Sequence, residues 1–173
     1  MFDPSPRAGR TLLLGVGNDL LADDGVGLHV ARAVRSRLPA ALAARVDVEE
    51  AYAAGFELID YLQGYARAVI VDAIQTEGGT PGDLYRFDAA ALRPTAHLAR
   101  IHGINLAGAL AIADQLQLPM PAEVVVLAVE ADDVTTFREE LSPAVAAALP
   151  AAVAAALDVL AEPLAPPPTH ADA

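Results

Sequence analysis

The 173-residue chain contains no cysteine. A disulfide framework and thiolate chemistry are therefore excluded, and any metal it meets must be met by Asp, Glu or His. Cations are scarce: 11 Arg and Lys stand against 23 Asp and Glu, for a formal net charge of −12. A nucleic-acid footprint needs a basic surface, so that class of function is excluded too. The acidic balance speaks for solubility and, at most, for a basic partner. Long unbroken apolar runs are lacking, because Pro or charge interrupts them, and no transmembrane span is expected. Residues 1–10 hold no apolar core and read as a short N-terminal tail, not a signal peptide. The expectation is a soluble, cytoplasmic protein with no membrane contact.

What the chain does have is apolar and rich in alanine. Hydrophobic residues make up 54% of it, enough at this length to bury one good core in one domain, residues 11–162. Thr11 to Val16 is a short apolar run closed by glycine, the pattern of a buried strand. Apolar residues at Val26, Val30, Ala33, Val34 and Leu38 predict a helix over Gly25 to Leu38, stopped by Pro39. A second strand is expected at Val46 to Glu50. A helix follows at Phe56 to Leu62, with Phe56, Ile59 and Leu62 on one side. Ala68-Val69-Ile70-Val71 is a continuous apolar run ending in Asp72, as in a central strand buried on both faces. Gly78 to Gly82 reads as a turn and Asp83 to Phe87 as a further strand. Ile104 to Leu116 reads as a helix and Val124 to Val129 as the last strand. Ser142-Pro143 opens the final helix, with serine as N-cap and proline at the first helical position. Pro150 is expected to kink or divide that helix. Residues 163–173 read as a flexible Pro/Ala-rich tail.

Strands alternating with helices define an α/β domain: three layers, with a twisted, mostly parallel central sheet of about five strands flanked by helices. The short link from Asp72 to Asp83 predicts that the Asp83 to Phe87 strand runs antiparallel, which makes the sheet mixed. There are no internal repeats.

The most telling segment is Gly15-Val16-Gly17-Asn18-Asp19-Leu20-Leu21-Ala22-Asp23-Asp24-Gly25-Val26-Gly27. Phosphate-binding loops keep acids away from a helix start, because the backbone N–H groups there hold an anion. Here two aspartates fill the position, which suits a cation better. The dinucleotide fingerprint fails at its own test residue, since its third glycine would fall on Leu20. In open α/β sheets, ligands sit beyond the carboxyl ends of the strands. Asp23 and Asp24 follow the first strand, Asp72 ends the most buried one, and His102 precedes a helix in His102-Gly103-Ile104-Asn105-Leu106. Two carboxylates and an imidazole could meet a divalent first-row metal and leave coordination positions open.

Each of these residues has a plainer explanation. Aspartate before a helix is a common cap and dipole partner, and Asp23 is the better capping candidate of the pair. Asp72 could anchor a loop. His29 falls inside a helix, His97 in a loop and His170 in the tail, so they compete weakly with His102. Gly15 and Gly17 could serve only close backbone approach.

Taken in order, the Gly15–Gly27 segment, Val71-Asp72-Ala73 and His102-Gly103-Ile104-Asn105-Leu106 resemble the [NiFe]-hydrogenase maturation endopeptidases, from about Thr11 to Glu162. The resemblance implies an endopeptidase that removes the C-terminal extension of the hydrogenase large-subunit precursor once nickel is inserted. It implies Asp24 and Asp72 as the acidic metal-contacting and catalytic residues and His102 as the imidazole. The nickel would then be held by the substrate, not by a resident site. The chain itself is expected to be a monomer. One segment departs from the family pattern: a Gly-Gly-Thr-like or Gly-Cys-Gly-like element is replaced by Glu50-Ala51-Tyr52-Ala53-Ala54-Gly55. Side chains then stand where bare backbone is usual, which bears on which large subunit is recognised. No serine or cysteine arrangement suits a covalent acyl-enzyme. Metal polarisation of the scissile carbonyl, metal activation of water, and an aspartate as general base all stay open. The alternative is a non-catalytic, nickel-sensing checkpoint protein for the immature large subunit. A nucleotide-binding module ranks below both.

Overall fold

Two eight-residue strands that are apolar on both faces build the centre of the sheet. The computed structural model describes residues 7–52, 55–88 and 106–164. Its strands are β1 (Thr11–Val16), β2 (Val46–Ala51), β3 (Arg67–Ile74), β4 (Leu84–Asp88) and β5 (Glu123–Glu130). They lie in the order β2-β1-β3-β5-β4. All neighbours pair in parallel except β4, which runs antiparallel to β5. The mixed sheet expected from the short link after β3 is what the structure has.

Alternate residues of each strand face opposite layers. On one side Leu13, Val69, Val71, Val125 and Leu127 join Val26, Val30 and Val34 of α1 (Val26–Arg37) and Val145, Val153 and Leu160 of α5 (Pro143–Ala161). On the other, Leu12, Leu14, Ile70, Val126 and Ala128 pack with Leu58 and Leu62 of α3 (Leu58–Leu62) and Leu106 of α4 (Leu106–Gln115). A four-residue helix, α2 (Ala40–Ala43), links α1 to β2. The edge strands β2 and β4 carry Asp47, Glu49, Glu50, Arg86 and Asp88, charges that discourage pairing with another chain.

Several sequence-based expectations change. Asp72 does not end β3: the strand runs on to Ile74, because Asp72, Ala73 and Ile74 pair with Ala128, Val129 and Glu130 of β5. Phe56 does not share a face with Ile59 and Leu62. It sits in a 3-10 turn (Gly55–Glu57) entered at positive φ by Gly55, and is 57% exposed. The helix of this segment begins only at Leu58, so the apolar phase starts one turn late. Pro150 does not divide α5, which runs unbroken over 19 residues. Pro150 and Ala146 are both exposed, so water can reach the carbonyl that proline leaves without a donor. Nor do Pro and charge break up every long apolar run. By length and composition α5 could cross a bilayer, yet Val145, Ala152, Val153, Ala156, Val159 and Leu160 are buried in the core cluster on one face of the helix. Ile104 and Asn105 lie outside the described residues, and α4 is described from Leu106.

Both ends of the described chain are tied down by arginine. Arg67 is 2% exposed at the start of β3. Its guanidinium pairs with Glu123 at 2.8 Å and donates to the carbonyls of Glu162 at 2.9 Å and Pro163 at 2.7 Å, closing the C-terminus of α5. Near the N-terminus Arg10 forms a bidentate pair with Asp47, at 2.7 and 2.6 Å. Arg7 lies over the Tyr65 ring, 5.0 Å from its centroid.

Burial first, and then the Asp47 carboxylate, push the Tyr65 phenol up to about 12. Above pH ~10 the unfolded chain releases this proton while the folded chain keeps it. The folded state then binds more protons, so stability is expected to fall as pH rises between about 10 and 12. A tenfold difference in proton affinity is worth about 1.4 kcal/mol, and solvent screening trims the effect to the order of 1–2 kcal/mol. The chain has no lysine to blur this window. Thermal unfolding at pH 9 and pH 11 checks it: Tyr65→Phe should lose less melting temperature across that interval than the wild type.

Candidate active site

The loop between β1 and α1 is shaped by glycine and by a short side chain turned back on its own backbone. Gly17 has φ of 145°, and a Cβ there would collide with the carbonyl of Asp24. Asn18 Oδ1 accepts the Leu20 N–H at 3.0 Å, and the Asn18 carbonyl accepts the Leu21 N–H at 3.1 Å. The chain then enters a 3-10 turn, Ala22–Gly25, which leads directly into α1. Gly27 lets the helix sit on the sheet, since a Cβ there would strike the carbonyls of Val16 and Val71. Ala22, fully buried, holds φ of 49°, a conformation that costs a non-glycine residue roughly 1 kcal/mol.

The two adjacent aspartates are used differently. Asp23 is fully buried, and its carboxylate accepts three backbone N–H groups: Asp132 at 3.0 Å, Asp133 at 3.1 Å and Ser142 at 2.6 Å. It thus caps an element, as the sequence suggests, but the element is the distant N-terminus of α5 and not the helix that follows it. Ser142 does occupy the N-cap position of α5, with Pro143 after it, yet its hydroxyl makes no capping bond. Asp24, by contrast, is half-buried and stands at the rim.

Asp72 projects from β3 just past the last β1–β3 pair, Gly15 with Val71. In the order β2-β1-β3-β5-β4 the chain leaves β1 to one side for β2 and returns on the other as β3. The gap between β1 and β3 is therefore the topological switch point, where ligands of open α/β sheets bind. Asp24 and Asp72 both stand there. Asp72 is 1% exposed, and its Oδ2 has no hydrogen-bond partner among the described residues. Burial pushes its carboxyl well above the usual carboxylate range, and the nearby Asp24 charge pushes in the same direction, against a hydrogen bond from the Ala73 backbone. A buried carboxylate oxygen left open beside a second acid fits a cation better than an anion or an apolar group.

The third expected contact, His102, lies outside the described residues, as do His97 and His170. His29 falls within α1, as expected. Among the described residues no group of three His, Asp or Glu could hold a metal ion, so Asp24 and Asp72 form the described part of the site. Sequence reasoning misses a polar cluster beside them. Arg32 on α1 pairs with Asp19 and with Glu50, each at 2.7 Å, and donates to the Tyr52 hydroxyl at 2.8 Å. The spacing of these residues carries no periodic signal.

The fold and rim define a three-layer α/β protein with paired acids at its switch point. The chain belongs to the hydrogenase maturation protease family, whose model matches residues 28–159. That span includes Asp72 and begins just after Asp24. A 75-residue stretch is 33% identical to the hydrogenase 2 maturation protease of Escherichia coli (strain K12), covering 43% of this chain and 44% of that relative. The matched stretch is thus less than half of that relative's length. The fold is similar to that of the hydrogenase maturating endopeptidase HybD from E. coli (TM-score 0.69, 24% identity, 87% of this chain and 91% of that one). It is also similar to a hydrogenase 2 maturation peptidase from the Thaumarchaeota archaeon SCGC_AB-539-E09 (TM-score 0.61, 28% identity, 88% and 98%).

Proposed function

We propose that the chain is an endopeptidase that removes the C-terminal extension of a [NiFe]-hydrogenase large-subunit precursor after nickel insertion. In this reading Asp24, Asp72 and His102 recognise the nickel that the substrate already holds. One observation carries it: in a chain of this family, a buried carboxylate oxygen of Asp72 stands open beside Asp24 at the switch point. Such a pair has little to offer a phosphate, and it supplies hard oxygen ligands to a first-row metal presented from outside.

Hydrolysis divides between these residues by exposure. Asp24, at the rim, meets the substrate first. Asp72, held rigidly within β3, sets the position of the contact without rotamer freedom to lose. A carboxylate kept short of solvent is a stronger base than an exposed one, which suits Asp72 to take the proton of the attacking water and pass it to the departing amide nitrogen. No acyl-enzyme is required, and the product is a shortened large subunit plus its released C-terminal peptide.

The test is incubation of purified protein with nickel-loaded precursor, read by gel shift and by mass spectrometry of the released peptide. One cut per precursor is expected, with release of a single C-terminal peptide. Stable binding without cleavage would replace this reading with the checkpoint one. On the same assay His102→Ala is expected to abolish processing, whereas His29→Ala should leave it nearly unchanged. Equal loss in the two variants would remove His102 from the site.

A further inference from the structure

The end of β2, at Glu50 and Tyr52, is wired to the loop that carries Asp24. Tyr52 follows the last residue of β2 and is 61% exposed, so core burial does not explain it. Its hydroxyl donates to Asp19 Oδ2 at 3.1 Å and accepts from Arg32 at 2.8 Å. Arg32 also donates to Asp19 Oδ2 at 2.7 Å and to Glu50 Oε2 at 2.7 Å, and Arg35 donates to Glu50 Oε1 at 2.7 Å. Two residues from the end of the edge strand therefore fix an arginine of α1, and tyrosine and arginine together grip Asp19. That residue in turn lies against the acid turn. A Cβ on Gly25 would come within 2.9 Å of the Asp19 Cα, so Asp19 cannot shift inward without moving Gly25 and its neighbour Asp24.

We propose that Tyr52 is a positioning residue, acting through Asp19 to hold the Asn18–Asp24 loop where Asp24 meets the substrate. This deepens the reading of Asp24 as a substrate contact and rests on it. Exposed ion pairs add little to global stability. A small misplacement of a reacting group, however, slows a reaction severely. The brace should therefore register in rate and in local loop order, not in melting temperature.

The test compares wild type, Tyr52→Phe, Asp19→Asn and the double variant. Tyr52→Phe keeps the ring and removes only the hydroxyl. Its kcat on nickel-loaded precursor should fall roughly three- to tenfold, with KM within about twofold and little change in Tm. Hydrogen exchange should accelerate at the amides of Leu21 and Asp24, which close the loop onto Asn18 and Leu21. The double variant should be no slower than the slower single variant, because both changes break one unit. Wild-type kcat and unchanged exchange in Tyr52→Phe would overturn the proposal. So would a rise in KM alone, which would make the tyrosine a docking contact, or a loss of Tm with kcat intact, which would make it structural. If the wild type itself did not process precursor, the functional reading would fall, and the exchange data would still decide whether Tyr52 holds the loop.

Discussion

Asp72→Asn is expected to abolish precursor processing and, at the same time, to raise the melting temperature. The substitution keeps the shape of the side chain and removes its charge. In the folded protein a charge there is disfavoured: the carboxyl is buried, one oxygen has no partner among the described residues, and the Asp24 carboxylate opposes its ionisation. An unsatisfied buried polar group costs about 1–3 kcal/mol, and a charged one more. Relief of part of that cost should raise Tm by roughly 2–6 °C in a chain of this size. Loss of the contact itself should slow processing by about a hundredfold or more, the scale seen when a charge-stabilising group is removed from an active site. Rate and thermal unfolding measured on one preparation separate this from ordinary damage, in which both would fall together. A lower Tm would show that the carboxylate is paired in the folded state and contributes to holding it.

The neighbouring aspartates should divide in the opposite sense. Asp23→Ala leaves three backbone N–H groups, of Asp132, Asp133 and Ser142, without their acceptor in a fully buried place. The expected loss is about 3–5 kcal/mol, or roughly 6–15 °C in Tm. Asp23→Asn retains one acceptor oxygen and should recover part of it. Asp24→Ala, at a half-buried rim position, should change stability by no more than about 1 kcal/mol and yet stop processing. Thermal melts of the three variants beside the gel-shift assay decide the matter. Equal destabilisation by Asp23→Ala and Asp24→Ala would contradict the division of roles.

Local patterns are legible in the sequence and distant contacts are not. The bounds of β1, the double-sided burial of β3 and the antiparallel β4 follow from apolar runs, glycine and link length, which act over a few residues. The acid loop is legible as unlike a phosphate-binding loop, because two aspartates stand where such a loop would hold an anion. Asp23 can be read as a cap, but not as the cap of an element 119 residues away. The Arg32 cluster joins α1, the acid loop and the end of β2, and no periodicity in the chain marks it. Phe56 and Pro150 depart from expectation for a related reason. A positive-φ glycine delays the start of one helix, and solvent exposure lets another continue through a proline.

The most direct measurement is the processing of nickel-loaded and nickel-free precursor side by side, with the metal content of the purified protein determined beforehand. An acid-and-imidazole site has no soft ligands and keeps positions open, so its own hold on metal should be weak. Discrimination then arises from a contact that only the loaded substrate can make. Protein that is largely metal-free should cleave the loaded precursor and leave the empty one intact. Equal cleavage of both, or a stoichiometric metal that survives chelation, would contradict recognition of substrate-held nickel and make the chain an ordinary metallopeptidase.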